Sequence, residues 1–176
     1  TEVQLGGGEL RLEQESTFRL NDTATAGTGV ETGPLTYHGA GDTRIVYENG
    51  AVFRMEGDDG VMIKPPDLLI GDTVVYSLYG LGGPTQSTAG DQTVLVVGQR
   101  GVRETALDDR TPTDNVTLAI NSSQAVVWER YYSDLASEHE HVSVSTAGDP
   151  DVTVTFEADH YDRFVVHRTS TRIDFS

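Results

Sequence analysis

A single stretch of this chain has the period of a helix, and the rest must be assembled around it. Asn121–Ala136, NSSQAVVWERYYSDLA, sets Ala125, Trp128, Tyr132 and Leu135 at spacings of three, four and three, so they share one face. Val127 and Tyr131 widen that face, while Glu129, Arg130, Ser133 and Asp134 fall on the other side. Arg130 and Asp134 are one turn apart and suited to pair. Ser122 or Ser123 is placed to cap the first turn by accepting a backbone N–H bond. A helix from about Ser122 to Leu135, holding the only tryptophan of the chain, is expected to lie on a sheet and complete its core.

Strand and turn signals fill the remainder. The clearest is Thr43–Met55, TRIVYENGAVFRM, where Asn49-Gly50 supplies the two positive-φ positions of a type I′ turn. That register sets Tyr47 opposite Val52 and Val46 opposite Phe53. Thr1–Leu5 and Glu9–Glu13 flank Gly6-Gly7-Gly8 and read as a hairpin; Gln92–Val97 and Val102–Leu107 read as another across Gly98–Gly101. Leu35–His38, Val61–Lys64, Leu68–Ile70, Thr73–Leu81, Asn115–Ile120, Glu138–Thr146, Val152–Glu157 and Phe164–Phe175 read as strands. Asn21–Thr32 and Gly82–Asp91 are small, polar and glycine-bearing, and read as loops. The expected fold is mainly β: an antiparallel sandwich or curved sheet in one domain, 1–176, with one amphipathic helix packed on it.

Composition narrows the function classes. The net charge is −16, and the basic residues are eleven Arg and one Lys, Lys64. Surface carboxylates in such excess repel one another unless salt screens them, which is the balance of a salt-loving protein. No basic stripe is present to displace counterions, so nucleic acid is not an expected partner. There is no cysteine, which excludes disulfides and thiolate chemistry. No run approaches the roughly 18 apolar residues of a membrane span.

The segments TEVQLGGGELRL, PLTYHGAGDTRIVYENGAVFRMEGDDGVMI and NVTLAINSSQAVVWERYY, in that order, resemble a haloarchaeal group of pilin-like surface proteins of unknown function. The resemblance runs from Thr1 to about Tyr132 and rests above all on GDTRIVYENGAVFR. It implies a β-rich external domain that follows a class III signal and an apolar N-terminal helix. That helix is missing from the sequence here, so contact with the membrane is expected only through it. The resemblance carries no catalytic residues. It implies an extracellular place on the cell surface of a haloarchaeon. The implied role is an assembly subunit of a surface or pilus-like filament, or else an adhesion module that binds glycan or protein. The implied partners are other copies of the chain or other surface proteins.

Three sequons, at Asn21, Asn115 and Asn121, are candidate N-glycan acceptors in an exported protein. Chance matches in a Thr-rich chain are the alternative, and Asn121 can serve instead at the helix start. Glu138-His139-Glu140-His141 is the best metal candidate: on a strand, His139 and His141 point to the same face and can share one Zn²⁺ or Cu²⁺. A site there needs further ligands, which His160 or His167 can supply only through the fold. A solvated acidic segment after the helix is the simpler reading, and no cofactor is expected. Asp149, Asp151, Asp159 and Asp162 lack the loop spacing of a calcium site. No GxSxG elbow or phosphate loop frames a catalytic group, so no enzyme activity is expected. Tyr76, Tyr79, Trp128, Tyr131 and Tyr132 can build a sugar-stacking surface, but core packing explains them more simply.

Overall fold

The computed structural model describes residues 1–13, 16–21 and 28–176. In chain order the strands are β1 (Glu2–Gln4), β2 (Glu9–Leu12), β3 (Ser16–Asn21), β4 (Thr28–Thr32), β5 (Leu35–His38), β6 (Thr43–Glu48), β7 (Ala51–Glu56), β8 (Asp59–Lys64) and β9 (Leu68–Ile70). They continue as β10 (Thr73–Gly82), β11 (Gln86–Ala89), β12 (Thr93–Arg100), β13 (Glu104–Asp109), β14 (Val116–Asn121), β15 (Val142–Ser145), β16 (Val152–Phe156) and β17 (Arg163–Phe175). One α-helix, α1 (Ala125–Glu138), and a 3-10 turn at Ala158–His160 complete the set among the described residues. None of the helices is long and apolar enough to cross a membrane.

The strands form three sheets: β1-β12-β17-β10-β9 with β13 also on β17, β11-β2-β5-β6-β7-β8, and β15-β16-β14-β3-β4. The architecture is the β-rich, curled arrangement with one helix that the strand and turn pattern implies. One pairing departs from the antiparallel expectation. β10 and β17 run parallel, from Thr73 opposite Arg163 to Gly82 opposite Arg172, while every other pairing among the described residues is antiparallel. The sequence of β10 follows its burial. β10 alternates buried Val74, Tyr76 and Leu78 with half-buried neighbours.

Local chemistry explains the hairpin that matched. β6 and β7 pair with Tyr47 opposite Val52 and Val46 opposite Phe53. Asn49 and Gly50 take φ values of 45° and 78° in the turn. The other two expected hairpins do not form. Gly6-Gly7-Gly8 does make a tight turn, with the Gly8 N–H donating to the Leu5 carbonyl at 2.8 Å. Its two arms nevertheless enter different sheets: β1 pairs with β12, and β2 with β5 and β11. In the same way β12 and β13 do not pair with each other. Both lie along one edge of β17, β13 against Phe164–Arg168 and β12 against Thr171–Phe175. A short turn brings two strands close, yet each pairs with the last strand of the chain instead.

Two segments read as loops contain strands. β4 covers Thr28–Thr32 and pairs with β3, and β11 covers Gln86–Ala89 and pairs with β2. Both are rich in Thr, Ser and Gly, so their period of two lacks the apolar residues that reveal it. The ladder of a neighbour orders them instead.

The main core draws from all three sheets, and α1 sits where they meet. The Trp128 ring packs edge-on against Phe18 of β3 and Phe53 of β7, at 5.2 Å from each. Tyr132 stacks on Trp128 at 6.0 Å, and its hydroxyl lies 2.5 Å from that of Tyr76 on β10. The helix starts three residues later than expected and ends three residues later. Its first residue is preceded by Gln124, whose side chain makes no capping bond. Ser122 Oγ accepts from the Gln124 N–H at 3.0 Å and so shapes the turn before the helix rather than its first turn. Arg130 turns from Asp134 to Asp59, at 2.8 Å, which ties α1 to β8.

Candidate functional site

Two groups of ionisable side chains stand out, one inside the fold and one at its surface. The inner group surrounds Glu48, the last residue of β6. It is fully buried and accepts hydrogen bonds from Ser16 Oγ, from Ser122 Oγ at 2.7 Å and from Trp128 Nε1 at 2.6 Å. Burial pushes its carboxyl above the ordinary range, and the three donors pull it back part of the way. Asn49 beside it is buried too. Its Oδ1 accepts from the Tyr79 N–H at 2.8 Å and its Nδ2 donates to the Tyr76 hydroxyl at 3.3 Å. Burial raises Tyr76 and Tyr132 well above the ordinary phenol range, so both stay neutral donors and acceptors. This network joins β3, β6, β10 and α1. It lies away from solvent, and its chemistry is cohesion.

The outer group is His141, Glu157 and His160. Helix α1 ends at Glu138, and His139 leaves it in extended conformation with its N–H on the Leu135 carbonyl. β15 then pairs with β16 from Val142 opposite Phe156. The Glu157 N–H reaches the His141 carbonyl at 2.9 Å, which extends that ladder by one step and brings the two side chains together. Buried Ala158 anchors the following 3-10 turn, where the His160 N–H donates to the Glu157 carbonyl at 3.2 Å. The turn carries His160 back over Glu157. His141 Nδ1 lies 3.3 Å and His160 Nε2 lies 3.6 Å from Glu157 Oε2. The imidazoles stack 3.7 Å apart and 7° from parallel. One ligand atom from each of the three residues falls within 4.8 Å of the others, a set of two nitrogens and one oxygen that suits a metal ion.

This corrects the pairing of His139 with His141. Residues 139–141 precede the strand, so the period of two that would align both rings does not operate there. His141 meets His160 instead, and His139 is outside the cluster. Glu157 escaped the sequence reading. Its i, i+3 spacing to His160 is the signal that could have found it, given a turn at that place. His167 sits apart on β17, 3.4 Å from Thr105 Oγ1.

The sequons divide. Asn115 is exposed in the loop just ahead of β14 rather than at the start of a strand. Asn121 ends β14, and its Oδ1 accepts from the Asp151 N–H at 3.0 Å, so its amide is already engaged in the fold. Asn21 closes β3, while its side chain and the rest of its sequon lie outside the described residues. Trp128, Tyr76 and Tyr132 are core residues and not a sugar platform. A surface concavity of about 470 Å³ is lined by Arg54, Glu56, Asp59 and Arg130, which pair with one another: Arg54 with Glu56 and Arg130 with Asp59, both at 2.8 Å.

Comparison with curated proteins finds no match, and comparison with solved structures finds none either. The model of one protein family, described as a family of unknown function (DUF7289), matches residues 1–174. A match over nearly the whole length places the chain in the DUF7289 family.

Proposed function

We propose that this domain is a structural subunit of a haloarchaeal cell-surface or pilus-like assembly, facing outward and performing no catalysis. The observation that carries the reading is the placement of its polar groups. Among the described residues Glu48 is the one buried acidic side chain, and it is bound by three internal donors. The other described carboxylates face solvent wholly or in part, where concentrated salt can screen them. The charged residues of the surface concavity neutralise one another instead of pointing at a common centre. Val61 and Ile63 stand exposed on β8 and Leu69 on β9, which gives a neighbouring subunit apolar surface to cover. Exposed Asn115 suits a glycan on an exported protein.

The test is localisation of the native protein. Antibody against this domain, used with gold label in electron microscopy, should decorate filaments or the cell envelope. Mass spectrometry of the same fraction should find a glycan on the peptide containing Asn115. Recovery of the protein in the cytosolic fraction, with an unlabelled surface, would overturn the proposal. Label on the surface as isolated monomers with a bound glycan or protein would favour an adhesion module over an assembly subunit.

A further inference from the structure

We propose that His141, Glu157 and His160 bind a divalent ion of the zinc class, which clips the β15–β16 ladder to the turn that leads into β17. The argument is geometric. Hydrogen bonds from imidazole to carboxylate are expected near 2.7–2.9 Å when charged. The contacts here are 3.3 Å and 3.6 Å, long for that purpose. They fit a shared ion better. With metal–ligand bonds of about 2.0–2.1 Å, the edge of a tetrahedron is about 3.3–3.4 Å.

The outer partners support the same assignment. His141 offers Nδ1 to Glu157 and places Nε2 3.3 Å from Glu140 Oε1. A carboxylate on the far ring nitrogen keeps the proton there and frees the near nitrogen for a metal. Asp159 Oδ1 lies 3.9 Å from His160 Nε2 but outside the three-residue set, so water would complete the shell. Two imidazole nitrogens select zinc-like ions over calcium or magnesium, which prefer all-oxygen shells. Coordination requires one change. A metal lies in the plane of each imidazole, so the stacked rings must splay apart on binding. The side chains are 29% and 46% exposed, which leaves solvent on their outer sides for that rotation.

The site is independent of the surface-assembly reading and can be tested on the 176-residue chain. Zn²⁺ titrated by calorimetry should bind at one site per chain and raise the melting temperature, with Mg²⁺ and Ca²⁺ at equal concentration giving no comparable rise. His160→Ala and Glu157→Gln should each weaken Zn²⁺ binding by about tenfold or more. His139→Ala should leave it unchanged, because that ring is outside the cluster. Co²⁺ added to the unsubstituted chain should give the intense visible bands of a four-coordinate site, a readout that does not depend on any variant folding. An equal response to Ca²⁺ and Zn²⁺ would reduce the cluster to non-specific carboxylate binding and overturn the proposal. So would full affinity in His160→Ala, or Co²⁺ bands no stronger than those of the aqueous ion.

Discussion

Glu48 concentrates the energetics of single residues in this domain. A buried carboxylate is costly to ionise, and Ser16, Trp128 and Ser122 recover part of that cost. Its folded-state value lies above the unfolded one, so the native state holds the proton more tightly. That contribution is fully present below the unfolded value and is lost as pH rises through the folded value. Glu48→Gln keeps an acceptor for Trp128 and cannot ionise. Urea melts from about pH 4 to pH 8 should therefore show the natural chain losing stability relative to Glu48→Gln as pH rises. Parallel curves would show that the carboxyl does not change charge in that window. Trp128→Ala removes a fully buried ring that touches Phe18, Phe53 and Tyr132, and strips a donor from Glu48. It should cost about 3–5 kcal/mol, read as a large fall in the urea midpoint. A fall under about 1 kcal/mol would mean that the three sheets hold together without the helix.

Between elements, what was legible in the sequence depended on whether the information was local. The β6–β7 hairpin was readable to the register, because Asn49-Gly50 sets both the turn and the pairing. A Cβ on Gly50 would meet Tyr79 Cδ2 at 2.9 Å, and the residue has positive φ. Gly50→Ala should cost about 1–2 kcal/mol in equilibrium unfolding; an unchanged midpoint would show that the turn relaxes freely. The Gly6–Gly8 turn carried equally strong local chemistry, but its arms part because the partners of β1 and β2 are distant in sequence. The same holds for β12 and β13, whose shared partner is the last strand of the chain. The metal-ligand cluster follows this rule. His141 was visible as a candidate and His160 as a ligand that only the fold could supply, whereas Glu157 went unread; the three join only when β16 and its 3-10 turn fold back on β15.

For the molecule as a whole, charge sets the behaviour. With a net charge of −16, the native state repels itself, and salt should relieve that repulsion. The melting temperature should rise between about 0.1 M and 3 M KCl, with most of the rise from screening complete before the upper end. A melt that does not move would remove the screening argument. What the sequence determined alone was composition and period: the acidic surface, the β-rich class, the one amphipathic helix and the Asn49-Gly50 register. These depend on residues within a few positions of one another. The tertiary structure decided which strands are neighbours, the parallel β10–β17 pair, the enclosure of Glu48 and the meeting of His141 with Glu157 and His160. Those outcomes depend on contacts between segments far apart in the chain. They are selected by how three sheets bury their apolar faces together around Trp128, a competition that no local pattern records.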